Sequence, residues 1–178
     1  MIELYPSFSI VGDFMEIRYI TEDDDFSPIR EIYEKSWKFA YRDIVPMDYM
    51  NSIPKGRWGG KFMENGRNDI GAFIDGRIVG TASFCASRWD KFYDYGEIVT
   101  IYLLPEFIGK SIGSALIEWC ITELKNKGFK RIMLWVLEEN LRARRFYENH
   151  HFKLTDEYMD DNLGGRDVRE IMYCLDID

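Results

Sequence analysis

The stretch from residue 97 to residue 136 most constrains how this chain folds. Residues 97–104 form its most apolar strand pattern, and Pro105 ends that strand. A glycine-bearing loop then leads into a helix predicted at 111–127, and 131–136 is a second strand. A strand, helix and strand in this order form a right-handed crossover between parallel strands. The chain must therefore build a sheet that contains at least one parallel pair.

The other patterns surround that unit with further strands and helices. Strands are predicted at 14–20, 70–74, 78–87, 152–158 and 168–175, and helices at 26–40 and 140–149, with a broken helical region from 46 to 65. Asp75-Gly76 predicts a two-residue hairpin turn. The fold class is α/β (α+β mixed): a central, mostly antiparallel sheet of about seven strands with helices on both faces. Residues 1–178 are read as one domain, with a weakly patterned lead-in at 1–13 that has room for an extra strand.

Charge restricts the partners. The net charge is −8 and the isoelectric point is near 4.9, so the surface repels phosphate backbones and no nucleic-acid partner is expected. An acidic surface attracts cations such as ammonium groups, although surplus carboxylates also serve solubility alone. Composition leaves those two interpretations open.

Few residues are suited to metal binding or membrane insertion. The three cysteines are far apart, and His150 and His151 are the only histidines, so no metal site is expected. No apolar run approaches the roughly 20 residues that a membrane span needs. Because Met1 is not followed by a basic segment, no secretory signal is visible either. We expect no membrane partner and a cytoplasmic location.

The loop after residue 104 has the features of a phosphate site. Backbone amides at a helix start lack partners within the helix, and the helix dipole adds positive charge there. Gly109 and Gly113 leave room for a ligand to approach the backbone. A P-loop would need glycine where Leu104 stands, and the G-x-G-x-x-G spacing of a dinucleotide-binding loop is missing. Neither of those two motifs fits.

A third motif fits this loop. Pro105-Glu-Phe-Ile-Gly-Lys-Ser-Ile-Gly113 resembles motif A of the GNAT superfamily of N-acetyltransferases, whose loop holds the pyrophosphate of coenzyme A. Ile108 replaces the usual Gln or Arg, and Ser111 replaces a glycine. Downstream, 140–152 resembles motif B of the same family, N-x-x-A-x-x-F-Y-E-x-x-G-F, with His151 in place of the glycine.

The resemblance implies a GNAT acyl-CoA acyltransferase fold with acetyl-CoA as co-substrate and no metal. The parallel strands would splay apart, with the pantetheine arm lying between them. The cofactor-binding residues it implies are Ile101, Tyr102, Leu103, Ile108, Gly109, Lys110, Ser111, Ile112, Gly113, Ser114, Asn140 and Phe146. Asn140 would also cap its helix. We expect the Ser111 hydroxyl to cap the other helix or to bind a phosphate oxygen.

Two residues are predicted to be catalytic. The resemblance places the Tyr147 hydroxyl near the sulfur of coenzyme A, where it would protonate the leaving thiolate; the alternative is a tyrosine packed on the sheet. Glu97 would share a strand face with Val99, Ile101 and Leu103, and a carboxylate beside apolar groups takes up a proton more readily. It would be the base that deprotonates the amine, or else a solvated carboxylate at a strand end.

The acceptor stays open at this point. Aromatic residues near 37–42, Trp58 and 89–95 suit a small amine and a peptide or protein amine equally well. The leading hypothesis is direct attack of the amine on acetyl-CoA in a ternary complex. The alternative is a non-catalytic module that senses acyl-CoA, which the changes at Ile108 and Ser111 favour. Homodimers are common in the family, and no feature of the sequence decides the oligomeric state.

Overall fold

One eight-stranded sheet organises the chain, in the strand order β1-β2-β3-β4-β5-β6-β8-β7. This computed structural model describes residues 7–10, 13–58 and 66–177. The strands are β1 Ser7–Ile10, β2 Asp13–Tyr19, β3 Asn68–Ile74, β4 Arg77–Ala86, β5 Gly96–Leu103, β6 Arg131–Leu137, β7 Lys153–Leu163 and β8 Arg166–Asp176. The α-helices are α1 Phe26–Ala40, α2 Met47–Ser52, α3 Ile112–Asn126 and α4 Leu141–Asn149. Neighbouring strands run antiparallel except β5 and β6, which are parallel.

The seven predicted strands are present, and the eighth, β1, lies in the lead-in segment. Two regions differ most from the predictions. Strand β7 continues to Leu163, and strand β8 already begins at Arg166. The turn between them is made by Gly164 and Gly165 alone, whose φ angles are 64° and 89°. The broken helical region contains α2 and a single 3₁₀ turn, Lys55–Arg57; its last residues, 59–65, lie outside the described residues.

Local chemistry explains where these elements begin and turn. The Asp25 side chain accepts a hydrogen bond from the Ser27 amide at 2.8 Å and caps α1. Asp75 and Gly76 both have positive φ, 49° and 78°, so the predicted hairpin turn is confirmed. The core lies on both sides of the sheet, because α1 packs on one face and α3 on the other.

A bulge in β5 changes which side chains share a face. Ile98 pairs with Phe84 and Thr100 with Ser83, so Val99 is an extra residue in the ladder. Because an extra residue reverses the alternation of a strand, Ile98 and Ile101 both face α3, while Thr100 faces α1. The predicted face therefore proves wrong: Ile101 and Leu103 face α3, whereas Glu97 lies with Thr100 and Tyr102 on the α1 side.

Candidate active site

A cleft of about 890 Å³ opens where β5 and β6 separate. The two strands pair only at Gly96 with Ile132 and Glu97 with Met133, so beyond these residues they diverge. Residues 99–103 of β5 form one wall of the cleft. Residues of β6, α1, α4, the loop before α3 and the first turn of α3 form the rest. The predicted splay of the two parallel strands is thus present.

Backbone groups on the open edge of β5 face the cleft. The Leu104 amide donates to the Val79 carbonyl at 2.9 Å, toward β4. Successive residues alternate, so the amides and carbonyls of Ile101 and Leu103 point to the cleft. The Ser36 hydroxyl occupies one acceptor position of the Leu103 carbonyl at 2.5 Å. The other groups on this edge can pair with an amide-containing ligand that lies along the strand.

The loop between β5 and α3 brings its backbone to the cleft through two residues of positive φ. Pro105–Phe107 form a 3₁₀ turn, Gly109 has φ of 81°, and Ser111, just before α3, has φ of 61°. The expected capping by Ser111 is wrong, because its side chain makes no capping hydrogen bond and its backbone is left-handed. The family's glycine at this position fits that conformation without strain.

Most of the predicted cofactor residues line the cleft. They are Ile101, Tyr102, Leu103, Ile108, Gly109, Ser111, Gly113, Ser114, Asn140 and Phe146. The Ile112 side chain is instead fully buried in the core, and the Lys110 ammonium lies 4.7 Å from the ring centroid of Phe107. For Ile112 only a contact through the backbone is consistent with the structure, and Lys110 does not line the cleft.

Tyr147 lies in the cleft wall on α4. Within the described part of the chain, its hydroxyl has no hydrogen-bond partner, and its ring lies 5.4 Å from that of Phe146. Burial, together with nearby Tyr102 and Cys120, raises the pKa of Tyr147. The phenol therefore keeps its proton at neutral pH and is available as a donor. Asn140 caps α4 as expected, since its Oδ1 accepts from the Ala143 amide at 3.2 Å.

Glu97 is not among the residues that line the cleft. Its side chain is 1% exposed and accepts hydrogen bonds from the Arg88 guanidinium at 2.7 and 3.1 Å and from the Arg88 amide at 3.0 Å. The indole of Trp89 adds a contact at 3.4 Å. A carboxylate with so many donors is occupied structurally, and the geometry does not favour it as the base.

Three arginines line the cleft; sequence reasoning included Arg42 in the 37–42 region and missed Arg142 and Arg145. Arg42 follows α1, and Arg142 and Arg145 lie on α4. The guanidinium carbons of Arg42 and Arg142 lie 4.8 and 5.2 Å from the Phe39 ring centroid, and burial and then Arg42 lower the pKa of Arg142. The three-residue spacing of Arg142 and Arg145 on a predicted helix was a readable signal. Positive charge here suits the phosphates of coenzyme A.

A slot between splayed parallel strands, a helix start with free amides and a protonated tyrosine define an acyl-CoA-dependent transferase. A sequence model of the acetyltransferase (GNAT) family matches residues 26–152. The chain belongs to this family, and it is an N-acetyltransferase that uses acetyl-CoA.

Similar proteins agree with this assignment. YuaI of Bacillus subtilis, described as an uncharacterized N-acetyltransferase, is 31% identical over 121 residues, 66% of this chain and 69% of YuaI. A spermidine N(1)-acetyltransferase of Thermoplasma acidophilum is 27% identical over an alignment that covers 80% of this chain and 90% of the relative. The crystal structure of the PaiA N-acetyltransferase of T. acidophilum in complex with coenzyme A has a TM-score of 0.69 and 24% identity, covering 88% of this chain and 97% of PaiA.

Two further observations concern only the described residues. None of their helices is both long and apolar enough to cross a membrane. Their His, Cys, Asp and Glu side chains form no group of three or more that could hold a metal ion.

Proposed function

We propose that this enzyme acetylates a small primary amine of the polyamine class, with Tyr147 as the acid that protonates the departing thiolate. The observation that carries the proposal is the slot between β5 and β6, with Tyr147 in its wall. The T. acidophilum relative named for spermidine supports the acceptor class, and so does the net charge of −8.

Acetyl-CoA would bind with its pantetheine along the open edge of β5, pairing with the backbone of Ile101 and Leu103. Its pyrophosphate would meet the amides at the start of α3. Arg142 and Arg145 would supply the positive charge that Ile108 lacks, by facing the phosphates from α4. Asn140 would contact the pantetheine arm beside the helix that it caps.

In the chemical step, the neutral amine attacks the thioester carbonyl in a ternary complex. A carbon–nitrogen bond forms, the carbon–sulfur bond breaks, and the thiolate takes the proton of the Tyr147 hydroxyl. The extra proton on the new amide nitrogen then leaves through solvent and restores the tyrosine. A positioned donor of this kind contributes up to about 10²–10⁴-fold in rate. No covalent enzyme intermediate is involved.

The test combines binding with turnover. At a concentration of roughly 100 times Kd, acetyl-CoA should stabilise the fold by about 2.7 kcal/mol, which a melting curve detects. Thiol release is then followed with spermidine and with a peptide that begins with alanine. Release with spermidine supports the proposal, and release with the peptide alone overturns the small-amine assignment. A raised melting temperature without thiol release from either probe would indicate the non-catalytic acyl-CoA module.

A cytoplasmic location, a single domain and the oligomeric state stay predictions. The described helices and strands form one continuous sheet order, which is compatible with a single domain. Size-exclusion chromatography with light scattering would decide between a monomer and a dimer.

A further inference from the structure

Glu170 occupies an unusual place on the acceptor side of the sheet. On β8 it pairs with Leu137 of β6 and Met159 of β7, and by alternation it shares a face with Val168 and Met172. Val168 packs with residues beside α2, and Met172 packs with Phe92 and Met133. This is the face covered by α1. Glu170 is therefore a half-buried carboxylate between two apolar clusters.

Glu170 does not line the cleft, but the register places it next to a residue that does. Met172 pairs with Trp135, so Trp135 is the diagonal neighbour of Glu170 on the same face. Diagonal neighbours in an antiparallel pair lie about 7–8 Å apart, within reach of a large side chain. Trp135 lines the cleft, as does Tyr41. Burial raises the pKa of Tyr41 most, and the charges of Tyr147 and Glu170 raise it further.

Among the described residues, no side chain or backbone group forms a hydrogen bond or ion pair with the Glu170 carboxylate. Burial and then Asp161 raise the pKa of Glu170, while Arg88 opposes them. The guanidinium of Arg88 donates two hydrogen bonds to Glu97, through Nε and one terminal nitrogen. The nearby titratable groups on β7, on the loop before β5 and after α1 are Asp161, Arg88 and Tyr41, and none of them forms a hydrogen bond or ion pair with Glu170.

Partial burial weakens the hydration of a carboxylate and disfavours its charged form, at some energetic cost. A cation supplied by a ligand would remove that cost. The cleft receives an amine, and an amine is an ammonium ion at neutral pH before it reacts. The chemistry of the missing partner therefore matches the chemistry of the acceptor.

We propose that Glu170 is the recognition residue that binds an ammonium group of the acceptor amine. The proposal rests on the proposed function, in which the acceptor is a polyamine. A polyamine has more than one ammonium group, so one can bind Glu170 while another, deprotonated, attacks the thioester. The Glu170 side chain would select for positively charged acceptors.

The first arm of the test measures binding without turnover. In protein labelled with ¹³C in its glutamate carboxyl groups and saturated with coenzyme A, the Glu170 signal is identified by its loss in Glu170→Gln. Propylammonium chloride should shift this signal to a plateau, and sodium chloride at the same concentration should not. The exposed Glu118 on α3, on the opposite face, is the internal control. An unmoved Glu170 signal, or equal shifts with both salts, overturns the proposal.

The second arm measures kinetics with spermidine. Glu170→Gln should raise KM for spermidine about tenfold, a loss of about 1.4 kcal/mol, with KM for acetyl-CoA unchanged. Glu118→Gln is the matched control and should change neither constant. An unchanged KM for spermidine in Glu170→Gln contradicts the proposal. If the wild-type enzyme releases no thiol with spermidine, the proposed acceptor class fails, and the carboxyl titration still decides the role of Glu170.

Discussion

The carboxylate of Glu97 accepts two hydrogen bonds from the guanidinium of Arg88, at 2.7 and 3.1 Å, while its side chain is only 1% exposed. The pair joins β5 to the loop that precedes it, directly beside the point where β5 and β6 stop pairing. Its position makes it a structural anchor at the closed end of the cleft.

Glu97→Gln should therefore lower stability more than it lowers catalysis. Removing one partner of a buried charged hydrogen bond costs about 1–3 kcal/mol, so we expect about 2 kcal/mol less unfolding free energy. Urea denaturation measures this loss, and kcat should change by no more than about threefold. If kcat falls by about a hundredfold or more while the urea midpoint stays constant, Glu97 is the base after all.

Tyr147→Phe should lower kcat by about 10²-fold or more and leave the affinity for acetyl-CoA nearly intact. One hydroxyl is removed while the ring keeps its contacts with Phe146 and Phe152. Steady-state kinetics and calorimetric titration separate the two effects. Tyr158→Phe, at an exposed tyrosine of β7, is the control. Equal kcat values for wild type and Tyr147→Phe would assign Tyr147 a packing role only.

Ser111→Gly should raise stability by about 1 kcal/mol, because a residue with a Cβ at φ of 61° is strained and glycine is not. A gain of this size moves the melting temperature by roughly 2–4 °C. Ser114→Gly is the control: Ser114 lies inside α3, where glycine should lower stability by about 0.5–1 kcal/mol. A destabilised Ser111→Gly variant would mean that the hydroxyl contributes more than the strain costs.

Arg145→Gln should weaken the binding of coenzyme A about three- to tenfold at low salt, because the arginine lies in the cleft wall near the expected phosphates. The difference from wild type should shrink as salt is added, since screening weakens charge pairs. Calorimetric titrations with coenzyme A at two salt concentrations test both statements. Lys125→Gln, at the far end of α3, should bind like wild type. A salt-independent difference would argue against a contact between charges.

Asp24 should make the free energy of unfolding depend on pH. The Asp24 carboxylate accepts hydrogen bonds from Arg18 at 2.6 and 2.9 Å. Chiefly because of these bonds, the pKa of Asp24 is lowered from 3.8 to about 2. Because the folded pKa is the lower one, the stabilisation is complete above about pH 4 and is lost as the pH falls toward 2. Asp24→Asn should therefore cost roughly 1–2 kcal/mol at neutral pH, and the gap should narrow in urea titrations at about pH 3. A constant gap would contradict this explanation.

Strong local signals made most of the fold predictable. Residues 75 and 76 specify their turn through their own backbone preferences, and the Ile112, Leu116 and Cys120 spacing specifies the buried face of α3, where all three are fully buried. The slot was expected from motif resemblance. The backbone groups of Ile101 and Leu103 face the slot because peptide groups alternate in direction along a strand.

The errors came from features that depend on tertiary context. No local signal marks Val99 as an extra residue, so the period-two argument placed Glu97 on the wrong face. Serine at a helix start suggests a cap, but the path of the loop forces Ser111 into the left-handed region. Glu170 could not be singled out, because only the pairing of β6 with β8 brings it beside Trp135.

The two-residue contact between β5 and β6 also has a mechanical meaning. It divides the sheet into a five-stranded part, β1 to β5, and a three-stranded part formed by β6, β8 and β7. A pantetheine chain with its two amides would lie in the gap much as a missing strand would. The thioester substrate would then be a structural element of the protein for as long as it is bound, and release of coenzyme A would return the sheet to two halves joined by a short seam.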